Sequence, residues 1–321
     1  MTTVSRRAAL VASFATLAGK AMAQAYPARP IKLVVGYAPG GGPDAFARLL
    51  APELGKAIGQ SVVVENRLGA AGTLATSSVV NSPADGYTLL LAETAQLEIA
   101  PFIHRKLSYN TLKDLTPIAL LIVSQGSALV TSSRNTSFRT MREFIKVAQA
   151  EQVTFGSSGI GSLFHINMEV LKAELGLNLL HVPYKGSGMS MPAMLSGEVD
   201  VAINSLQAVL EHVRSAKAHM LATTGTRRFL PDVPVFEEFM ANKDPYLSEL
   251  SLHGPAGLPA DIQQKIANAA KSAMAAAPVA AGIQRTHMLP AFVTSDAFRR
   301  HIEANLRKYE SAVKRAGIEQ V

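Results

Sequence analysis

Short runs of aliphatic and β-branched residues alternate with stretches of helical period along most of this chain. Ile31-Lys32-Leu33-Val34-Val35-Gly36-Tyr37 reads as a strand that enters Ala38-Pro39-Gly40-Gly41-Gly42. Phe46, Leu49, Leu50, Leu54 and Ile58 then fall on one helical face. Pro52 sits inside that pattern, and an interior proline costs about 3 kcal/mol, which predicts a kink or break near Leu50. A strand over Ser61–Glu65, a glycine-bearing turn over 66–72, a helix from Thr73 to about Asn81 and a strand over Tyr87–Ala92 follow. Strand, loop, helix, strand is the rhythm of βαβ units on a mostly parallel sheet.

The apolar stretch Ile118–Val130 is interrupted by Ser124-Gln125-Gly126-Ser127. Both halves read as strand, and a broken strand of that length suits a crossing between two domains. A second series follows it. Its strands are Val153–Ser157, Leu179–Tyr184, Val199–Asn204 and Met220–Thr224. Its helices are about Phe138–Ala150, Ser162–Leu175, Gly188–Ser196 and Leu206–Ala216. Leu250–Pro255 reads as a further strand, and three helical stretches close the chain: Ala260–Ala277, Val279–Arg285 and Asp296–Ala316, the last with Ser295 as its N-cap.

The N-terminus changes the picture. Arg6 and Arg7 precede an apolar run from Ala8 to Gly19, too short to span a bilayer, and Ala21-Met22-Ala23 and Ala23-Gln24-Ala25 end the segment. Basic head, short apolar core and small-x-small end predict a cleaved export signal over residues 1–25. Ser5-Arg6-Arg7 leaves Sec and twin-arginine export both open. The rest is long enough for about two domains. Three of the basic residues behind the formal charge of +7 lie in the signal, so the remaining excess is mild, and it is spread along the chain. With no basic block interleaved with aromatics, nucleic-acid binding is not expected. There is no cysteine, which excludes thiolate catalysis and zinc–thiolate sites. The eight histidines do not cluster, and all are expected to be structural or at the surface; no metal or cofactor is expected.

Two loops carry the candidate chemistry. Pro39-Gly40-Gly41-Gly42-Pro43-Asp44 and Gly156-Ser157-Ser158-Gly159-Ile160-Gly161-Ser162 each join a strand to a helix. Glycines allow close backbone approach, and a helix N-terminus favours an anion. Ligands of open α/β sheets sit beyond the carboxyl ends of the strands, where both loops fall. Asp44 is readable either as a first-turn acid that steadies its helix or as a partner for a ligand amine or hydroxyl. No nucleotide fingerprint or G-x-S-x-G elbow accompanies these loops. His181-Val182-Pro183-Tyr184-Lys185-Gly186 is a third strand-end loop.

In order and spacing, these motifs resemble the receptor family of tripartite tricarboxylate transporters, the Bug-type solute-binding proteins. The resemblance runs through Tyr26–Ile31, Ala38–Asp44, Val64–Gly72, Pro83–Leu89, Asp114–Ala119, Ser157–Ser162, His181–Gly186 and Pro231–Pro234, nearly the whole chain after the signal. It implies a type II periplasmic-binding fold: two α/β domains joined by two crossing strands, with a ligand cleft between them. Residues 26–125 and 250–321 would form the first domain, and 126–249 the second. It further implies capture of a small carboxylate-bearing ligand by domain closure, in the periplasm, by a monomer that delivers the ligand to the permease subunits of such a transporter. The first cradle is carried to Ala38, Gly40, Gly41 and Asp44, with Thr73 and Thr94 nearby. The second is carried to Ser157, Ser158, Gly159 and Ser162, with Tyr184 and Asn204 at its far end.

The chain departs from the family pattern at three places. Pro43 stands where threonine is common, Leu68 where the family has proline, and Glu93 where small or hydroxyl residues are frequent. Pro43 removes an N–H and a hydroxyl from the first cradle, and a Glu93 carboxylate facing the cleft would disfavour a polyanion such as citrate. A ligand sensor on the same fold, and an exported α/β hydrolase, are the competing readings.

Overall fold

A computed structural model describes residues 26–320, apart from Gln125, His287 and Glu319. The expected signal over residues 1–25 lies outside the described residues.

Two mixed sheets organise the chain. The first has the order β11-β4-β10-β3-β1-β2. Its strands are β1 (Ile31–Val35), β2 (Val62–Asn66), β3 (Thr88–Glu93), β4 (Leu115–Ser124), β10 (Glu249–Pro255) and β11 (Met288–Thr294). Strands β2, β1 and β3 are parallel; β10 and β11 run antiparallel to β4. The second sheet has the order β7-β6-β8-β5-β9. It holds β5 (Ser127–Ser132), β6 (Val153–Ser157), β7 (Leu179–Pro183), β8 (Val201–Ser205) and β9 (Ala218–Thr223). Strands β7, β6 and β8 are parallel. The central parallel strands are buried on both faces, so Ile31, Leu33, Val34 and Val35 of β1 are all fully buried.

Helices α1 (Gly42–Ile58) and α2 (Thr73–Val80) follow β1 and β2. A π-helical turn (Ala95–Ile99) and the short α3 (Ala100–Ile103) follow β3. On the second sheet lie α4 (Met141–Ala150), α5 (Leu163–Leu175), α6 (Ser187–Ser196) and α7 (Leu206–Arg214). Helices α8 (Ala260–Ala275), α9 (Ala277–Arg285) and α10 (Ser295–Arg315) finish the chain.

Three expectations are corrected. Helix α1 runs unbroken through Pro52. Packing of Phe46, Ala47, Leu50, Ala51, Leu54 and Ile58 against the first sheet outweighs the lost hydrogen bond. Residues 288–294 form a strand that the helical reading of this region did not contain. Pro290 obscures it, and it is tolerated because β11 is an edge strand with a register break beside the proline. Thr294, not Ser295, is the residue that precedes the last helix in extended conformation.

The chain passes between the sheets twice, from β4 to β5 and from β9 to β10. The two crossings are bonded to each other. Ser124 N donates to Ser248 O at 2.7 Å and Ser248 N to Ser124 Oγ at 3.1 Å. Ser127 N donates to Thr224 Oγ1 at 2.8 Å, and Thr224 N to Ser127 O at 2.8 Å. Between these bonds sits Gly126, at φ +116°, where an added Cβ would fall 1.7 Å from the Thr224 carbonyl oxygen. Helix α10 is a further link. Phe298 and Ile302 pack on Leu120 of the first sheet, whereas Tyr309, Ala312 and Val313 enter the core beneath the second.

Candidate functional site

Strands β1, β2 and β3 end at the loops that begin with Gly36, Arg67 and Thr94. Gly36 and Gly72 bring the first two loops into backbone contact: a Cβ on Gly36 would lie 2.5 Å from the Gly72 Cα. The second loop is wound through four successive residues at positive φ, Gly69, Ala70, Ala71 and Gly72. Two of these are alanines, for which the left-handed region costs about 1–2 kcal/mol each. Such strain persists where surrounding structure over-determines the backbone, and it concentrates at functional loops.

Asp44 supports the first loop from below. It is buried, and each of its oxygens is engaged. Oδ2 accepts from Gly40 N at 2.8 Å and from Arg48 Nε at 3.0 Å. Oδ1 accepts from Asn66 Nδ2 at 2.8 Å. The Arg48 guanidinium, against the opposing effect of burial, holds the Asp44 carboxyl down at about 2. Of its two readings, the structure displays the supporting one. Ala38 and Gly40 are exposed and Gly41 is half-buried above it, at the N-terminus of α1, whose first-turn amides have no carbonyl a turn back to pair with. Asp44→Asn should therefore destabilise the protein by about 1–2 kcal/mol at pH 7. Because the folded-state pKa is depressed, that contribution is present above about pH 4 and lost as pH falls towards 2. Denaturant melts of both proteins at pH 7 and pH 3 check it; the gap should narrow at the lower pH.

Thr73 is buried at the start of α2. Thr94 accepts from Glu249 N at 2.9 Å and donates to Leu247 O, so it ties β3 to the second crossing. Glu93 accepts hydrogen bonds from the hydroxyls of Tyr37 at 2.6 Å and Ser248 at 2.7 Å, which joins the first loop, β3 and the same crossing.

On the second sheet, β6 ends at Ser157, whose side chain is fully buried. Its Oγ lies 2.7 Å from His181 Nε2 and accepts from Gly159 N at 3.2 Å. Ser158 and Gly159 are half-buried in that turn, and Ile160 beyond them is exposed. Ser162 caps α5 by accepting from His165 N. The Tyr184 hydroxyl donates to Glu198 at 2.7 Å. Asn204 is fully buried and pairs with Ser190. The accessible candidates are therefore backbone-rich: Ala38, Gly40 and Gly41 on one sheet, Ser158 and Gly159 on the other. Most of the side-chain candidates stand behind them and hold the loops. A groove of about 720 Å³ between α1 and β2, lined by Ala51, Pro52 and Val62–Val64 together with Arg48, Lys56 and Gln60, lies on the flank of the first sheet.

The sequence reading passed over His181, expected to be structural or at the surface. Its link to Ser157 joins residues on neighbouring strands, a pairing that only the register of β6 on β7 creates.

The family described as the tripartite tricarboxylate transporter receptors matches residues 46–318. The chain belongs to that family. BugT of Bordetella pertussis, a fellow member, is 30% identical over 327 residues, 98% of each chain. Among solved structures, the periplasmic binding protein BugD superposes with a TM-score of 0.78 at 25% identity, over 92% of this chain and all of that one. An R. palustris protein solved with adipate superposes with a TM-score of 0.79 at 26% identity, over 92% and 100% of the two chains. The two-sheet architecture with paired crossings is thus the fold of this receptor family. Among the described residues, no helix is long and apolar enough to cross a membrane and no group of histidine and acidic side chains is arranged to hold a metal.

Proposed function

We propose that this receptor captures a small carboxylate-bearing ligand between its two sheets and presents it to the permease subunits of a tripartite tricarboxylate-type transporter. The observation that carries this is the presence of two backbone-lined turns, the largely exposed 38–42 and the half-buried 158–159, at the carboxyl ends of parallel strands on sheets joined by two crossings. Backbone amides with helix N-termini behind them suit an anion. The adipate in a family neighbour supports a carboxylate. Domains divide by sheet: 26–125 with 250–321, and 126–249, with α10 strapped across both. The protein works as a periplasmic monomer after removal of residues 1–25, and it binds without turnover.

A ligand that touches both turns is held better in a closed arrangement than in an open one, so it shifts the population towards closure. Native mass spectrometry should detect one bound acid per chain. Small-angle scattering should show a smaller radius of gyration with ligand than without, and the ligand should be recovered unchanged. Binding with no compaction would remove the closure mechanism; a reproducible product would remove the receptor assignment.

A further inference from the structure

Beneath the second turn lies a stacked group that the proposed function does not use. His181 of β7 packs between Phe155 of β6, at 4.7 Å between ring centroids, and His165 of α5, at 3.9 Å and 16° between planes. The tautomer of His165 follows from its contacts. Nδ1 accepts from Gly161 N at 3.2 Å, so the ring proton sits on Nε2, which faces Glu169 at 3.7 Å. Lys172 lies 3.6 Å from the other oxygen of Glu169. His165, Glu169 and Lys172, all on α5, are the titratable and charged groups around His181. Its Nε2 is 2.7 Å from the buried Ser157 hydroxyl, which in turn accepts from Gly159 N at 3.2 Å. An unbroken path therefore runs from the imidazole to the 157–159 turn.

We infer that His181 is a positioning residue of the ligand site: through Ser157 it sets the 157–159 turn, and it takes up a proton from solvent when an anion occupies that turn. This rests on the carboxylate-capture reading above. Neutral His181 can accept the Ser157 proton, which leaves Oγ to hold the Gly159 amide. Protonated His181 can only donate at Nε2. Ser157 then accepts from it, and the Ser157 proton turns to the Gly159 carbonyl, 3.3 Å away. The same protonation places a positive charge under the anion. In the empty protein burial and the neighbouring His165 push the His181 pKa down to about 4, so the ring is neutral at pH 7. A bound anion stabilises the imidazolium and raises that value. Affinity accordingly grows as pH falls from 7 through the raised value, and the gain is complete once pH drops below the free-protein value.

Calorimetry tests this with acetate, benzoate, succinate, adipate and citrate as probes, from pH 5 to pH 8, each in two buffers of different ionisation enthalpy. An opposite charge at roughly 4–6 Å gives about two- to fourfold tighter binding at pH 5 than at pH 7, beyond the titration of the acid itself. His181→Gln keeps a hydrogen-bonding group near Ser157 without a titrating ring. It should lack both the gain and the extra proton uptake. His181→Ala should bind more weakly at every pH. The proton count in wild type needs no variant to fold. Binding with no proton uptake beyond the acid's own, or a full gain retained in His181→Gln, overturns the inference and leaves carboxylate capture standing. If none of the five acids binds at any pH, carboxylate capture falls and this inference with it.

Discussion

Gly126→Ala should lower the melting temperature by about 5–15 °C, a large loss for a single methyl. Two costs add. At φ +116° an L side chain is strained, and the new Cβ would sit 1.7 Å from the Thr224 oxygen, where no atom fits. Backbone, not a flexible side chain, must yield, and the strand pairs on either side resist it: Ser127 is bonded to Thr224 and Ser124 to Ser248. Left-handed strain and overpacking together amount to about 2–5 kcal/mol. Thermal unfolding by circular dichroism reads this directly. A melting point within about 2 °C of wild type would mean that the two crossings separate easily. The contrast with Gly59→Ala is informative, since Gly59 is also left-handed, at φ +83°, but has open space around it.

The largest loss of binding is expected from Gly41→Val. Gly41 has φ −70° and ψ 163°, which any residue adopts, and a Cβ there would meet only Ala38 O, at 3.2 Å. The folded protein should therefore tolerate the change, with a melting temperature near that of wild type. The branched side chain would stand over the amide turn at the start of α1 and keep a carboxylate out. Calorimetry with the tightest of the acids above should show affinity reduced by about a hundredfold or more, some 3 kcal/mol. Normal affinity in a folded variant would displace the first cradle from this loop. The corresponding change at Gly159 is a poorer probe, because φ is +129° there and any side chain alters the turn itself.

The central parallel strands β1, β6 and β8 were legible in the sequence because each is a short apolar run that ends at glycine or serine, the pattern that burial on both sheet faces imposes. β11 was not, because Pro290 is a strand breaker everywhere except an edge, and edge position is a property of the assembled sheet. The π-helical turn after β3 carries no periodicity of its own; Leu97 and Gln96 are buried against β3 and α2, Glu98 meets Asn305 of α10, and Ile99 joins the core beneath the second sheet. The candidate loops were placed at strand ends by pattern alone. What pattern could not resolve was which of their side chains face outward. Asp44, Thr94, Ser157 and Tyr184 read as ligand contacts in one dimension; the fold gives each oxygen a neighbour as well: Arg48, Glu249, His181 and Glu198.

Helix α10 also fixes an order of assembly. The strands of the second sheet are complete by Thr223, yet the core beneath them stays open until Tyr309, Ala312 and Val313 arrive. A chain emerging from the ribosome therefore carries an unfilled core through nearly the whole of its synthesis. The second sheet gains its full core only when helix α10 is free to pack against it.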